Sequence, residues 1–424
     1  MATVKAFNGT RFSKEAGDLN KLVSPPYDIV SDKEYDTLVA LSDKNIIRLE
    51  LPKGGDDRYK KAGELFSEWK SDGTLFAEAA PAYYIYEMVF TANGVKNSLK
   101  GFVGLVKLQD FSDGVVLPHE ETLSKAKTDR FNLMSETMCN FSQIYSLYMD
   151  ENGECLKSIE SVSSGAPTMS VTDNDGTIHR MWAVTDETFI KNLSAAFEAK
   201  KLYIADGHHR YETALNFEKK LQADGKATAN SGYISMMLVN IENPGLVIFP
   251  THRIVKNLEG FSAEELIKKS AEYFDITEAA NEDEMNAKLH SLYDNGKKAF
   301  ALYSGSGKCN VFRLKNEAAV KDILPDMSDA YCGLDVSVLH TLVLEKLLGI
   351  DKENMANQKN LTYTRSAKEA LEAVDFGGAD CAFILNPTKV SEIRDVAAAG
   401  EKMPQKSTYF YPKLITGLVI NDFA

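Results

Sequence analysis

The sequence predicts a mixed α/β protein with more than one domain. Segments with helical periodicity alternate with short apolar strands along the 424 residues, a pattern typical of α/β and α+β folds. A chain of this length exceeds what one hydrophobic core usually organises. We therefore predict three regions: an N-terminal α+β region at 1–115, a core at 116–260 and an additional α/β C-terminal domain at 261–424.

The N-terminal region is predicted to combine helices with a long β-hairpin. Paired prolines favour a turn, and the alternation of apolar and charged residues in NIIRLELP favours a strand that carries Arg48 on an exposed face. An Asn-Gly pair between two apolar runs indicates a two-residue hairpin turn with positive φ at both positions. The expected elements are a turn at 24–31, a helix at 33–44, a strand at 45–52, a helix at 57–75 and a hairpin over 82–111 with its turn at Asn93-Gly94.

The core and C-terminal regions continue this alternation. In the core, a buried strand KLYIA precedes an amphipathic helix whose apolar face runs from Tyr211 to Leu221. The expected strands lie at 141–154, 177–184, 201–206, twice between 231 and 255, and at 298–305, 309–315 and 381–386. The expected helices lie at 116–137, 186–200, 208–224, 262–274, 282–295, 335–349, 366–377 and 390–403.

Composition and charge exclude several classes of protein. The formal net charge of −13 disfavours nucleic-acid binding, which depends on massed Lys and Arg. The five cysteines are widely spaced and form no Cys-x-x-Cys pair, which argues against a zinc finger or a disulfide scaffold. The N-terminus lacks the apolar core of a signal peptide, and no apolar run is long enough for a membrane helix. We expect a cytoplasmic protein and leave its oligomeric state open.

The stretch YIADGHHRYETAL predicts an anion site. It places Asp206, Gly207, His208, His209 and Arg210 between a predicted strand and a predicted helix. A helix start presents unpaired N–H groups and the positive end of the helix dipole. Gly207 permits a positive φ or a close approach of the ligand, Arg210 offers a planar fork for phosphate oxygens, and the imidazoles can donate hydrogen bonds or move protons.

Asp206 suits a different role, because its charge would repel an anion. Helix capping, proton acceptance or contact with Mg²⁺ are the alternatives for it. An ordinary N-cap and turn would explain Asp206 and Gly207, but not two histidines and an arginine in the same turn. Adjacent histidine side chains diverge, so a transition-metal site is not favoured. The candidate catalytic residues of this turn are Asp206, His208 and His209.

The charged stretch HEETLSKAKTDR is a second candidate. His119 and Glu120 follow a strand-breaking proline and could project into a site, with Glu120 as a general base and Arg130 as a substrate contact. The competing interpretation is a solvated helix face, supported by the i, i+4 pair Glu121–Lys125.

Two later stretches complete the candidate residues. FPTHRIV places His252 and Arg253 at a strand start, either as exposed side chains or as a second phosphate or carboxylate clamp. MPQKSTYFYPK groups Lys406, Ser407 and Thr408 among prolines, either as a lid over a pocket or as the approach to an edge strand. No Walker A motif and no Gly-x-Gly-x-x-Gly motif are present.

Several motifs resemble those of a known family. SPPYDIVS, IIRLELP, HEETLSKAKTDR, IADGHHRYETAL, LVIFPTHRIV and MPQKSTYFYPKLITGLVI are similar to the marks of a bacterial family, the domain of unknown function numbered ten-fifteen. The turn DGHHR resembles the signature of the ParB/sulfiredoxin superfamily, in which free-serine kinases carry a similar turn. The resemblance implies a ParB/sulfiredoxin-like core at 116–260 whose turn, Gly207 to Arg210, holds a phosphate chain.

The resemblance also implies a reaction. It points to nucleotide-dependent phosphoryl transfer on a small hydroxy amino acid, with serine and O-phosphoserine as the pair, ATP or ADP as the nucleotide and Mg²⁺ possible at Asp206. Free-serine kinases of the superfamily use a catalytic Glu, for which Glu120 is the candidate. The alternatives are an O-phosphoserine phosphatase and a non-catalytic, ParB-like nucleotide-binding regulator. No cysteine lies in or beside the turn, which argues against sulfinic-acid repair.

Overall fold

The computed structural model describes residues 1–120 and 124–424, without the side chains of residues 124–126 and 356. The predicted pair Glu121–Lys125 lies outside this description. Helices and mixed sheets alternate along the chain, so the predicted mixed α/β class is confirmed. None of the described helices combines the length and the apolar character that a membrane span requires.

Contacts within the chain define two compact units. Unit 1 comprises the described parts of 1–118, 122–247 and 412–424, and unit 2 comprises those of 119–121 and 248–411. Unit 1 therefore includes the first predicted region and most of the second. The division into three domains stays a prediction.

The elements are numbered in chain order. The strands are β1 Val4–Lys5, β2 Thr10–Phe12, β3 Leu75–Ala77, β4 Tyr83–Ala92, β5 Val95–Lys107, β6 Val116–Leu117, β7 Cys139–Asn140, β8 Ile144–Tyr148, β9 Met169–Thr172, β10 Ile178–Val184, β11 Leu202–Asp206, β12 Tyr233–Asn240, β13 Val247–Phe249, β14 His252–Val255, β15 Phe274–Ala279, β16 Ala299–Tyr303, β17 Cys309–Leu314, β18 Leu361–Thr364, β19 Cys381–Leu385, β20 Tyr409–Tyr411 and β21 Asn421–Asp422.

The helices are α1 Asp32–Leu41, α2 Ile47–Glu50, α3 Arg58–Ser71, α4 Ser124–Thr137, α5 Glu154–Val162, α6 Glu187–Phe197, α7 His208–Ala223, α8 Ala263–Ser270, α9 Glu282–Asp294, α10 Ala318–Lys321, α11 Asp329–Cys332, α12 Asp335–Val338, α13 Lys352–Ala356, α14 Ala367–Asp375 and α15 Val390–Ala398. A π-helical segment, Leu339–Glu345, continues directly from α12.

Unit 1 is built on one large sheet. Its strand order is β6-β11-β8-β12-β5-β4-β10-β9, with β1 also paired to β5. All residues of β8 are buried, and so are all residues of β12 except Tyr233. Strands buried on both faces are expected to have long apolar runs, as these do. The sheet positions the end of β11, where α7 begins.

Unit 2 contains a six-stranded antiparallel sheet. Its strand order is β15-β17-β16-β19-β14-β18, so β14 lies between two partners. The register places Arg253 opposite Tyr363 on β18 and Phe383 on β19. A central strand of this kind brings the side chains of β14 into the interior, which decides the environment of the predicted His-Arg pair.

The sequence prediction failed for NIIRLELP, which forms the short helix α2 and not a strand. Asn45 fixes the start of the helix because its side-chain nitrogen donates to the carbonyls of Lys21 and Val23, while its oxygen accepts the N–H of Ile47. Arg48 is half-buried and donates to the carbonyl of Val39 at 2.8 Å, so it does not lie on an exposed strand face. Tertiary contacts here outweigh the local alternation of residue types. Strands β15 and β18 were also not predicted.

Candidate functional site

A bulge in β11 directs the polar turn into position. The register of β11 against β8 shifts between Ile204 and Asp206, which leaves Ala205 as an extra residue. Such bulges redirect side chains and are frequent beside functional sites. Gly207 is the N-cap of α7, with φ 93°, and provides no side-chain cap for the first turn. The alternative prediction that Asp206 is the N-cap is therefore wrong, and the predicted strand–turn–helix is confirmed.

Gly207 cannot be replaced without strain. Its φ lies in the left-handed region, which L-residues rarely adopt. A Cβ at this position would lie 2.9–3.0 Å from the Nη2, Cζ and Nε atoms of Arg210. The guanidinium thus packs directly over the glycine, and the turn requires a residue without a side chain.

Asp206 is the centre of an ionic network. Its Oδ1 accepts a hydrogen bond from Lys413 Nζ and its Oδ2 one from Arg210 Nη2, both at 3.0 Å. Burial alone would raise the pKa of Asp206, but Lys413, Arg210 and the nearby His208 together hold that pKa well below its usual range. Asp206 is therefore ionised at neutral pH and neutralised by protein cations.

The guanidinium of Arg210 is directed towards the protein interior. Besides Asp206, it donates through Nη1 to the carbonyl of Gln143. Direct contact of Arg210 with a phosphate stays a prediction, since two of its nitrogens already hold the turn in place. His208 is buried and His209 is half-buried at the start of the same helix.

Arg130 on α4 forms a second buried cation cluster in unit 1. Its Nη1 donates to the carbonyl of Glu50 at 2.7 Å and its Nε to Asp129 Oδ2 at 2.9 Å. The ring of Tyr27 lies over the guanidinium, with the ring centroid 3.9 Å from Cζ. Burial, only partly offset by the charges of Arg130 and Arg210, raises the pKa of Tyr27 to about 12.

Arg130 and Arg210 line the same small cavity. It measures about 30 Å³, and its polar lining includes Glu50, Asn140 and Ser142. Glu50 Oε1 accepts the hydroxyl of Ser142 at 2.9 Å, while burial raises the pKa of Glu50 despite the nearby Arg130. A space of this size and polarity can hold about one water molecule.

Sequence reasoning missed three residues that contact the groups described above: Tyr27 and Glu50, which contact Arg130, and Lys413, which contacts Asp206. Each lies within a stretch that carries the family resemblance, namely SPPYDIVS, IIRLELP and YFYPK. The structure brings these stretches to the cations of α4 and α7 in unit 1. The signal that could have found them is that each of these stretches, distant from the others in the chain, contains a charged or phenolic side chain. The sequence predicted no contact for any of these three side chains.

The remaining predicted residues lie in unit 2. His119 Nε2 is hydrogen-bonded to Thr408 Oγ1 at 2.9 Å, and Glu120 Oε1 accepts the backbone N–H of Lys406 at 2.7 Å. Ser407 donates its hydroxyl to the carbonyl of Pro404. His119 and Glu120 therefore contact the predicted QKST stretch, a link that spacing along the chain could not reveal.

His252 and Arg253 are buried, which contradicts the interpretation of this pair as exposed. His252 Nδ1 accepts the N–H of Leu385 at 3.2 Å, and burial together with Arg253 lowers the pKa of His252 to about 4. Arg253 donates to the carbonyls of Thr251 and Gln405. The clamp role remains a prediction.

The turn at Asp206 fits an anion better than a cation. Both carboxylate oxygens already accept hydrogen bonds from Lys413 and Arg210, so Mg²⁺ at Asp206 would have to displace one of them. In the described part of the chain, no group of three or more His, Cys, Asp or Glu side chains is arranged to hold a metal ion. The Mg²⁺ contact at Asp206 stays a prediction.

The fold and the turn define a class: a mixed α/β protein in which a bulged strand leads through a left-handed glycine into a helix, and the carboxylate before that glycine is bonded to Arg210 and Lys413. Comparison with family models then gives the relationship directly. The chain belongs to the family described as "Protein of unknown function (DUF1015)", whose model matches residues 4–337. The stretch from Met403 to Lys413 lies beyond the matched residues. No match to a curated protein was found.

Several solved structures show a distant likeness. A conserved hypothetical protein from Pyrococcus furiosus is 14% identical with a TM-score of 0.34, covering 72% of this chain and 93% of its own. A free serine kinase in complex with AMP is 14% identical with a TM-score of 0.35, covering 72% and 89%. SbnI with a C-terminal truncation, from Staphylococcus aureus, is 12% identical with a TM-score of 0.37, covering 76% and 87%. The identities and TM-scores are too low for a ligand or a reaction of these proteins to be assigned to this chain.

Proposed function

We propose that this chain transfers a phosphoryl group between a nucleotide, ATP or ADP, and a small hydroxy amino acid, with serine and O-phosphoserine as the pair. The observation that carries the proposal is the start of α7. A 16-residue helix begins at a glycine with φ 93° and no side-chain cap, next to a carboxylate whose charge is neutralised by two protein cations. The helix dipole and its first N–H groups favour an anion at this point.

The roles of the turn residues follow from their contacts. Gly207 lets phosphate oxygens approach the backbone, and His208 and His209 supply imidazole N–H groups at the helix start. Asp206 acts as a positioning residue that fixes Arg210 and Lys413, because a carboxylate with so low a pKa is a poor general base. Arg210 and Lys413 then contribute positive charge, which phosphoryl transfer requires because its catalysis is largely positioning and neutralisation.

The choice of acceptor rests on the resemblance of the DGHHR turn to that of free-serine kinases. Glu120 is the proposed general base in unit 2, and the contact of its Oε1 with the Lys406 N–H orients its carboxylate. A nucleotide would bring Mg²⁺ with its phosphates, so the proposal does not need a metal at Asp206.

Turnover assays with purified protein test the proposal. One reaction contains serine, Mg²⁺ and either ATP or ADP, and a second contains O-phosphoserine alone. We expect O-phosphoserine in the first, and we expect Glu120→Gln to abolish it while Glu151→Gln, at an exposed site in unit 1, leaves it unchanged. Free phosphate in the second reaction alone would indicate a phosphatase. Tight ADP binding with no turnover in either would refute catalysis and favour a nucleotide-binding regulator.

A further inference from the structure

Asparagine is followed directly by glycine at four places in the chain: Asn8-Gly9, Asn93-Gly94, Asn152-Gly153 and Asn295-Gly296. All four asparagines are exposed. Such an asparagine can lose its side-chain amide when the backbone nitrogen of the next residue attacks the side-chain carbonyl carbon, and glycine hinders this attack least because it has no side chain. The attack requires a backbone N–H that is not held in a hydrogen bond and a side chain that can turn towards it. The folded surroundings therefore decide which of the four pairs reacts.

In three of the pairs the glycine N–H is already held. It donates to a neighbouring oxygen in each case: Gly9 to Tyr84 Oη at 2.7 Å, Gly153 to the carbonyl of Asp150 at 2.9 Å and Gly296 to the carbonyl of Tyr293 at 3.1 Å. Each of these hydrogen bonds has to break before the nitrogen can attack, which lowers the rate of the reaction.

Two of the same three pairs are also held through the asparagine side chain. Asn8 Nδ2 donates to the carbonyl of Glu78 at 2.8 Å. Asn295 Nδ2 donates to the carbonyl of Ser291 at 2.7 Å. These bonds fix the amide group that would have to rotate towards the glycine nitrogen.

The pair Asn93-Gly94 has neither restraint. It forms the two-residue turn between β4 and β5, with φ 51° and 75°, and Ala92 and Val95 are the last paired residues of the two strands. Among the residues that the structure describes, neither the Gly94 N–H nor the Asn93 side chain makes a hydrogen bond. A Cβ at Gly94 would meet no atom within 4 Å, so the backbone nitrogen lies in open surroundings.

The position of this turn favours local opening. It lies at the end of a long hairpin, and Val95 beside it is 61% exposed. Segments with few buried contacts open at low free energy while the rest of the fold stays intact. Opening of the Ala92–Val95 pair lets Asn93 leave its left-handed conformation and bring its side chain to the Gly94 nitrogen.

We infer that Asn93 is a site of spontaneous deamidation in the folded protein, with water as the only co-reactant. The Gly94 nitrogen forms a bond to Cγ of Asn93 and loses its proton. The bond between Cγ and Nδ2 breaks, and the side-chain nitrogen leaves with that proton as ammonia. Water then opens the five-membered imide ring at one of its two carbonyl carbons, which gives aspartate or isoaspartate. This inference does not depend on the proposed phosphoryl transfer.

The two products change the turn in different ways. Both add one negative charge, and isoaspartate also lengthens the main chain by one carbon atom. The turn needs positive φ at both of its residues to match the twist of the strands, so the longer main chain disrupts the pairing of Ala92 with Val95. The other pairs of the hairpin, from Tyr84–Val103 to Thr91–Lys96, hold β4 and β5 together, and the modified protein remains folded.

Peptide mapping by mass spectrometry tests the inference, because the four pairs fall in four different tryptic peptides. The folded wild-type protein is incubated at mildly alkaline pH, and conversion of each amide to a carboxyl group is followed with time. We expect the rate at Asn93 to exceed the rate at each other pair by about fivefold or more, the factor that corresponds to one net hydrogen bond. Equal rates at the four pairs, or a faster reaction at another pair, would overturn the inference.

The same incubation in guanidinium chloride is the control for sequence effects. Unfolding removes the hydrogen bonds that distinguish the pairs, and glycine follows the asparagine in all four. We expect the four rates to become similar. A chain that reacts at Asn93 only when unfolded would contradict the assignment to the folded protein.

A substitution gives a second, independent readout. Asn93→Gln should prevent most of the acidic shift in isoelectric point that the folded protein acquires on incubation, because the longer side chain would have to close a six-membered ring. Asn152→Gln removes another exposed asparagine that precedes a glycine and is the matched control, which should shift as the wild type does. An undiminished shift in Asn93→Gln would refute the inference, whatever the turnover assays give.

Discussion

Replacing Gly207 with alanine tests the geometry of the turn most directly. Left-handed φ costs an L-residue about 1–2 kcal/mol. The new Cβ would also lie 2.9–3.0 Å from the Arg210 guanidinium, which must move and weaken its contacts with Asp206 and Gln143. A hydrogen bond to a charged group contributes about 1.5–3 kcal/mol. We therefore expect Gly207→Ala to lower the free energy of unfolding by about 2.5–5 kcal/mol.

Gly153→Ala is the matched control for this measurement. Gly153 is also a left-handed N-cap, with φ 64° at the start of α5, but a Cβ there would meet no atom within 4 Å. It should cost about 1–2 kcal/mol, the conformational part alone. Urea denaturation gives both values, and titration with ADP should show at least tenfold weaker binding for Gly207→Ala only. Equal losses of stability and equal ADP affinity in the two variants would refute the account of the turn.

Two further substitutions test the electrostatics of each unit. Lys413→Met removes one of the two cations bonded to Asp206, and we expect about 2–3 kcal/mol loss in urea denaturation, against no more than about 0.5 kcal/mol for the exposed control Lys96→Met. The pKa of His252 is about 4 in the folded state and near 6.5 in the unfolded state. Below pH 6.5 the unfolded chain therefore binds a proton that the folded chain does not, and the free energy of unfolding falls as the pH decreases. From pH 7 to pH 5 this loss is about 2 kcal/mol; His252→Gln should flatten that part of the pH profile, while His290→Gln at an exposed site should leave it unchanged.

Local sequence patterns correctly predicted two turns, the hairpin turn at Asn93-Gly94 and the turn of the candidate site at Gly207. The Asn93-Gly94 turn has φ 51° and 75°, and Gly207 has φ 93° between a strand and a helix, because these conformations depend on residue types that are adjacent in the chain. The partners of Asp206 were not predictable in this way. Lys413 lies 207 positions further along the chain, and no periodicity or spacing rule links the two.

Contacts between residues that are distant in the chain also explain the two larger errors of the sequence analysis. NIIRLELP has the alternation of a strand, but the Asn45 side chain binds two carbonyls from a preceding segment and starts a helix instead. The pair His252-Arg253 was open to interpretation as exposed because charge usually marks a surface. Its burial follows from the position of β14 inside a six-stranded sheet, which only the pairing of distant strands establishes. The sequence thus indicated which residues carry chemistry, while tertiary structure decided which of them meet.

The discontinuity of unit 1 has a consequence for biosynthesis. Residues 412–424 belong to unit 1 although they follow unit 2 in the chain, and they include Lys413, which bonds Asp206. During translation, the carboxylate of Asp206 leaves the ribosome some two hundred residues before its ammonium partner. A nascent chain therefore lacks the complete ion network at α7 until synthesis of unit 2 has finished.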